Sequence, residues 1–173
     1  MPIFPISEVE LDLPRNLALL DTNVLIALFD KGDANYEDAR YFLEAHTELV
    51  LGIAPPVIVE ACGIFIGKMK RSDLAAEMLQ WVITPGTGLR LLPAPHQLSE
   101  PAILQYLSAD AGWMRDWRVD YVDAFLMQMA HQITKVCSLH PELVIVTKDS
   151  DFLRCRGKGY GYRIHNIVSD ETL

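Results

Sequence analysis

Residues 16–24, Asn16-Leu17-Ala18-Leu19-Leu20-Asp21-Thr22-Asn23-Val24, set the reading of this chain. A short, largely apolar run ends at an acid. The run has the length of a buried strand. Asp21 then stands where a helix N-cap belongs, ahead of an apolar helix over 24–29.

The same alternation continues outward. Helical patterns are predicted over 37–45, from Pro55-Pro56 to about residue 70, over 74–82, and from 122 onward, where 122, 125, 126, 129, 130, 133, 136 and 137 share one apolar face. Strands are expected at 49–53, 89–92, 143–147 and 163–168, with a turn at Pro85-Gly86-Thr87-Gly88. Between them, 101–107 reads as a helix, 109–118 is ambiguous, and 151–154 suggests one helical turn. Strands separated by helices imply an α/β fold with a mainly parallel central sheet, flanked by helices on both faces. No repeat or linker interrupts the pattern, so 1–173 is expected to be a single domain.

Bulk properties narrow the class. The 173 residues are 50% hydrophobic and 22% charged, with mean hydropathy +0.15. A chain of this length buries roughly 70% of its unfolded surface and needs no staple. No apolar run approaches the roughly 20 residues of a membrane span, and the opening residues lack a signal peptide's basic region and cleavage site. Cys62, Cys137 and Cys155 are odd in number and lack Cys-x-x-Cys spacing. Together these lead us to expect free thiols in a reducing cytoplasm and no membrane partner. The net charge of −8 opposes phosphate binding unless the acids are gathered in one place.

Four acids invite that second reading: Asp21, Glu60, Asp123 and Asp149. In open α/β sheets, sites form beyond the carboxyl ends of strands, and Asp21 and Asp149 each follow a predicted strand. Helix capping is the plainer role for both. Glu60 lies within Val57-Ile58-Val59-Glu60-Ala61-Cys62, opposite the apolar stripe 58, 61, 62, 65 and 69, in line with Gly63, Gly67 and Arg71. It is either a solvated position or a ligand. Asp123 borders the apolar face of its helix, whereas Asp120 points away and reads as the N-cap, in a capping-box-like pair with Asp123. Asp151 either caps the turn that follows or assists a metal. Asn23 and Thr147 offer an amide and a hydroxyl to steady ligands. Carboxylates gathered in one cleft repel one another unless divalent cations sit between them.

Asp21-Thr22-Asn23, Glu60 on a helix, Asp123-Ala124 opening an apolar helix, and Thr147-x-Asp149-x-Asp151-Phe152 resemble the PIN domain family in order and spacing, over about 17–168. The resemblance implies a metal-dependent nuclease, usually acting on RNA, that leaves 5′-phosphate and 3′-hydroxyl ends. Compact prokaryotic members include VapC-type toxins restrained by an antitoxin protein, and homodimers are expected from the family. On this reading Asp21, Glu60, Asp123 and Asp149, with Asp151, hold Mg²⁺ or Mn²⁺, the hard cations that all-oxygen ligands suit.

Substrate contacts are less sharply marked. Arg71, Lys148 and Arg154 are candidates for phosphate, with Arg156 and Lys158 nearby. Trp113, Arg115, Trp117 and Arg118 interleave aromatics and cations, a pattern shared by single-strand binders and by ordinary i,i+4 helix packing. The five histidines (46, 96, 131, 140, 165) show no ligand spacing and receive no role. A haloacid-dehalogenase-like phosphatase would need Asp at position 23, and a P-loop signature is absent. The runner-up is a catalytically silent PIN-like protein-interaction or RNA-binding module, which has no need of mutually repelling carboxylates.

Overall fold

The computed structural model describes residues 16–92, 100–136, 143–149, 152 and 163–172. The apolar run after Asn16 forms β1 (Leu17–Leu20), with all four side chains buried. Such a strand needs cover on both faces, as the interior of a parallel sheet provides. Asp21 ends it and begins α1 (Thr22–Phe29), accepting from the Thr22 N–H. There follow α2 (Tyr36–Ala45), β2 (Val50–Ile53), α3 (Pro55–Gly63), a π-helical turn (Ile64–Lys68), α4 (Ser72–Ile83) and β3 (Arg90–Leu91). The second half runs α5 (Glu100–Trp117), α6 (Tyr121–Val136), β4 (Val144–Thr147), β5 (Arg163–Asn166) and β6 (Glu171–Thr172).

The strands pair in the order β3-β2-β1-β4-β5-β6. All neighbours are parallel except β5 and β6, which are antiparallel. The α/β class and the mainly parallel sheet are as expected; the short antiparallel edge strand β6 carries no apolar run and escaped the sequence reading. The order matters for function. From β1 the chain first builds outward through β2 and β3, then returns to the other side of β1 for β4 and β5. The reversal lies between β1 and β4, and sheets of this kind form their binding crevice at the carboxyl ends of the strands flanking such a reversal.

Packing fixes that crevice. Gly52 in β2 sits so close to β1 that a Cβ there would lie 2.9 Å from Leu19 Cδ2 and 3.1 Å from Leu17 Cδ1. In α6 the buried positions include Ala124, Met127 and Gln128 as well as the expected apolar face, because the helix is enclosed by α3, α5 and β4. One expectation is corrected and one open stretch is assigned. The helix from Pro55 does not run regularly to 70: it widens into the π turn at Ile64 and ends at Lys70, whose φ of 59° is left-handed. The ambiguous stretch 109–118 joins 100–107 in one helix, α5, which stops at Arg118 with φ 55°.

Candidate active site

At the carboxyl end of β1, Asp21 is 3% exposed. Its Oδ1 accepts from the Thr22 N–H at 2.6 Å and its Oδ2 from the Thr147 hydroxyl at 2.6 Å. Thr147 ends β4, the strand across the reversal point, so this bond ties together the two strand ends that flank the crevice. The hydroxyl has one proton, spent on Asp21, and two lone pairs. These accept from the Asp149 N–H at 2.9 Å and from Asn23 Nδ2 at 3.2 Å. Asn23 then turns its Oδ1 to the Lys148 N–H at 3.1 Å. The Thr147 hydroxyl is fully used, which holds Asp21, Asn23 and the 147–149 backbone as one unit.

Electrostatics bring in the other acids. The Asp21 carboxyl is pushed up to about 7, chiefly by burial and further by the charges of Glu60 and Asp149, against the hydrogen bonds from Thr147 and Thr22. Glu60 is half-buried on α3 and Asp149 half-buried just past β4. The charges of Glu60, on α3, and Asp149, just past β4, therefore both reach Asp21 at the end of β1. Asp123 is half-buried in the first turn of α6, a helix that packs on α3. Its N–H donates to Asp120 Oδ1 at 2.9 Å, which makes exposed Asp120 the cap of that helix. The donors on offer are all oxygen, and a buried carboxyl acted on by two other acidic charges is what a hard divalent cation relieves.

A family model for the PIN domain matches residues 18–158. The chain belongs to the PIN domain family. Among solved structures, VapC20 of Mycobacterium tuberculosis, described as a sarcin-ricin loop cleaving toxin, is similar at 16% identity and a TM-score of 0.57. The similarity covers 83% of this chain and 95% of VapC20, and at that identity it speaks for a common fold. No curated protein matches the sequence.

Within this PIN fold two of the candidate phosphate-binding cations, Lys148 and Arg71, are engaged by acids. Lys148 Nζ lies 3.1 Å from Asp33 Oδ2, both side chains largely buried. Burial pushes Asp33 up, but hydrogen bonds from Asn35 and from Lys148 outweigh it and hold the carboxyl below the usual range. Arg71 is exposed and makes a forked contact with Asp73, at 2.7 Å from Nη2 to Oδ2. Asp151, Arg154, Arg156, Lys158, Cys137 and Cys155 lie outside the described residues. Trp113 and Trp117 are half-buried, and the Trp113 ring rests 5.8 Å from that of His131 on α6. Those aromatics serve the helix contact rather than an open stacking platform.

Three features had no legible signal. Asp33 gave no hint of its pairing with Lys148, 115 residues away. Asp110 on α5 is 1% exposed, and its carboxyl oxygens have no hydrogen-bond partner among the described residues. Burial raises it to about 7. The histidines had been given no role, yet His46 and His165 come together with ring centroids 5.5 Å apart. Burial and His46 lower the pKa of His165, with Asp170 opposing.

Proposed function

We propose that this protein is a Mg²⁺- or Mn²⁺-dependent endoribonuclease, with RNA phosphodiesters as substrate. The carrying observation is the buried Asp21 carboxylate, which faces the charges of Glu60 and Asp149 at the β1/β4 crevice. Asp21, Glu60, Asp123 and Asp149 would hold the cation, with Asp151 beside them. When bound, it would supply the positive charge that acidifies a water and offsets charge on the phosphate.

The remaining roles belong to the chain itself. Thr147 keeps an O–H aimed at Asp21, so the carboxylate presents a fixed lone-pair set outward. Asn23 and the Asp149 N–H hold Thr147 in that orientation. Asp120 anchors the first turn of α6 and so the position of Asp123. Lys148, released from Asp33 by a stronger anion, would reach a substrate phosphate, with Arg71 and Arg154 as further contacts. Four acids around one crevice would be a liability in a silent binding module, which disfavours that reading.

The reading extends to a toxin, as VapC20 is described to be, with an antitoxin partner expected from the family resemblance and a reducing cytoplasm expected from the cysteine usage. Val59, Ile66, Leu79 and Ile83 are large apolar side chains exposed on α3, the π turn and α4, material for an antitoxin or for a second copy. The test is cleavage of structured ribosomal RNA fragments in Mn²⁺, in chelator, and by Asp21→Asn. Cleavage by the wild type in Mn²⁺ alone supports the reading. Equal cleavage by Asp21→Asn, or no cleavage of any RNA offered, overturns it.

A further inference from the structure

A second cluster of metal-ligating side chains lies apart from the four acids and shares no residue with them. His46 caps the C-terminal end of α2, and Glu48 follows on the way into β2. His165 is in the middle of β5, and Asp170 closes the turn into β6, with φ 53°. One ligand atom from each of His46, His165 and Asp170 lies within 4.8 Å of the other two. Glu48 Oε1 stands 3.4 Å from His46 Nδ1, and Asp170 Oδ1 stands 3.6 Å from His165 Nε2.

Those two separations are informative. Charge-assisted N–H···O bonds close to roughly 2.7–2.9 Å. Two ligands on one tetrahedral zinc, each about 2.0–2.1 Å from the metal, stand roughly 3.3 Å apart. Both histidine–carboxylate pairs are nearer the second spacing. The imidazoles are also held in place: the Phe42 ring lies 4.8 Å from that of His46 and 4.7 Å from that of His165. His165 is buried and Asp170 exposed, so the cluster is anchored inside and open to ion entry.

We propose that His46, His165 and Asp170 form a structural zinc site, with Glu48 beside His46 and water completing the coordination. Two imidazoles and a carboxylate select a borderline ion such as Zn²⁺ over Mg²⁺. The three ligands come from the end of α2, from β5 and from the turn into β6, so the ion acts as a clasp. It fastens the end of α2 to the β5–β6 edge, whose outer strand is only two residues long.

The test is Zn²⁺ titration against a chromophoric chelator, using the full chain with Asp21→Asn to weaken the acidic crevice. His46→Asn is compared in that background. One equivalent of Zn²⁺ should bind the parent, and His46→Asn should weaken it at least ~10-fold. Co²⁺ should give the intense visible bands of a tetrahedral site. Should His46→Asn fail to fold, Asp170→Asn in the exposed turn serves for the same comparison. No zinc binding by the parent, or equal affinity in the variant, overturns the proposal.

Discussion

At the scale of single residues, Asp21 carries an unusual burden: it is buried, it caps a helix, and it is crowded by other acids. Its folded pKa of about 7 stands above its ordinary 3.8. Below about pH 4 the carboxyl is protonated whether the chain is folded or not, and its contribution to stability is fully present. As pH rises towards 7 the unfolded chain ionises first, and stability is lost until the folded group also ionises. At about 1.4 kcal/mol per pH unit the loss is on the order of 4 kcal/mol. Unfolding free energies of the metal-free protein at pH 5 and pH 8 should therefore differ less in Asp21→Asn than in the wild type. Asp110 shares the same sign, so the flattening will be partial. Thr147 gives a second handle. Thr147→Val keeps the shape but removes the O–H on Asp21 and the acceptor for Asn23 and Asp149. We expect a cost of about 1–3 kcal/mol in chemical denaturation and about 10–100-fold weaker metal affinity by calorimetry.

At the scale of elements, the sheet places the site. β1 and β4 are adjacent only because the winding reverses between them, and the 2.6 Å bond from Thr147 to Asp21 spans that reversal. Gly52 lets β2 lie close against the leucines of β1. Gly52→Ala should cost about 1–3 kcal/mol by overpacking, read as a lower unfolding midpoint in denaturant. Much of this architecture was legible in the sequence, because buried parallel strands and apolar helices leave strong periodic signals in runs such as 17–20 and 122–133. What was not legible has physical reasons. A π turn differs from an α-helix by one residue per hydrogen-bonded ring and has no composition of its own. β6 is too short to show a period. Helix α5 mixes polar and apolar residues because it packs chiefly on α6.

At the scale of the whole molecule, the negative charge looked adverse for a nuclease. Part of it is now placed: the charges of Glu60 and Asp149 act on Asp21, Asp33 holds Lys148, and Asp73 holds Arg71. The order of the four acids along the chain was readable and led to the PIN family. That the charges of Glu60 and Asp149 reach Asp21 was not, because it depends on strand order, and neither was the meeting of His46 with His165 from α2 and β5. The central claim is that the crevice acids are a divalent-metal site built around Asp21. It is tested most directly by thermal unfolding at pH 8 of the wild type and Asp21→Asn, each with and without Mn²⁺. At ~100 times its dissociation constant the ion should stabilise the wild type by about 2.7 kcal/mol, roughly 5–10 °C for a chain of this size. Asp21→Asn should unfold at a higher temperature than the metal-free wild type and respond little to Mn²⁺. An equal Mn²⁺ shift in both proteins, or none in either, would contradict the account.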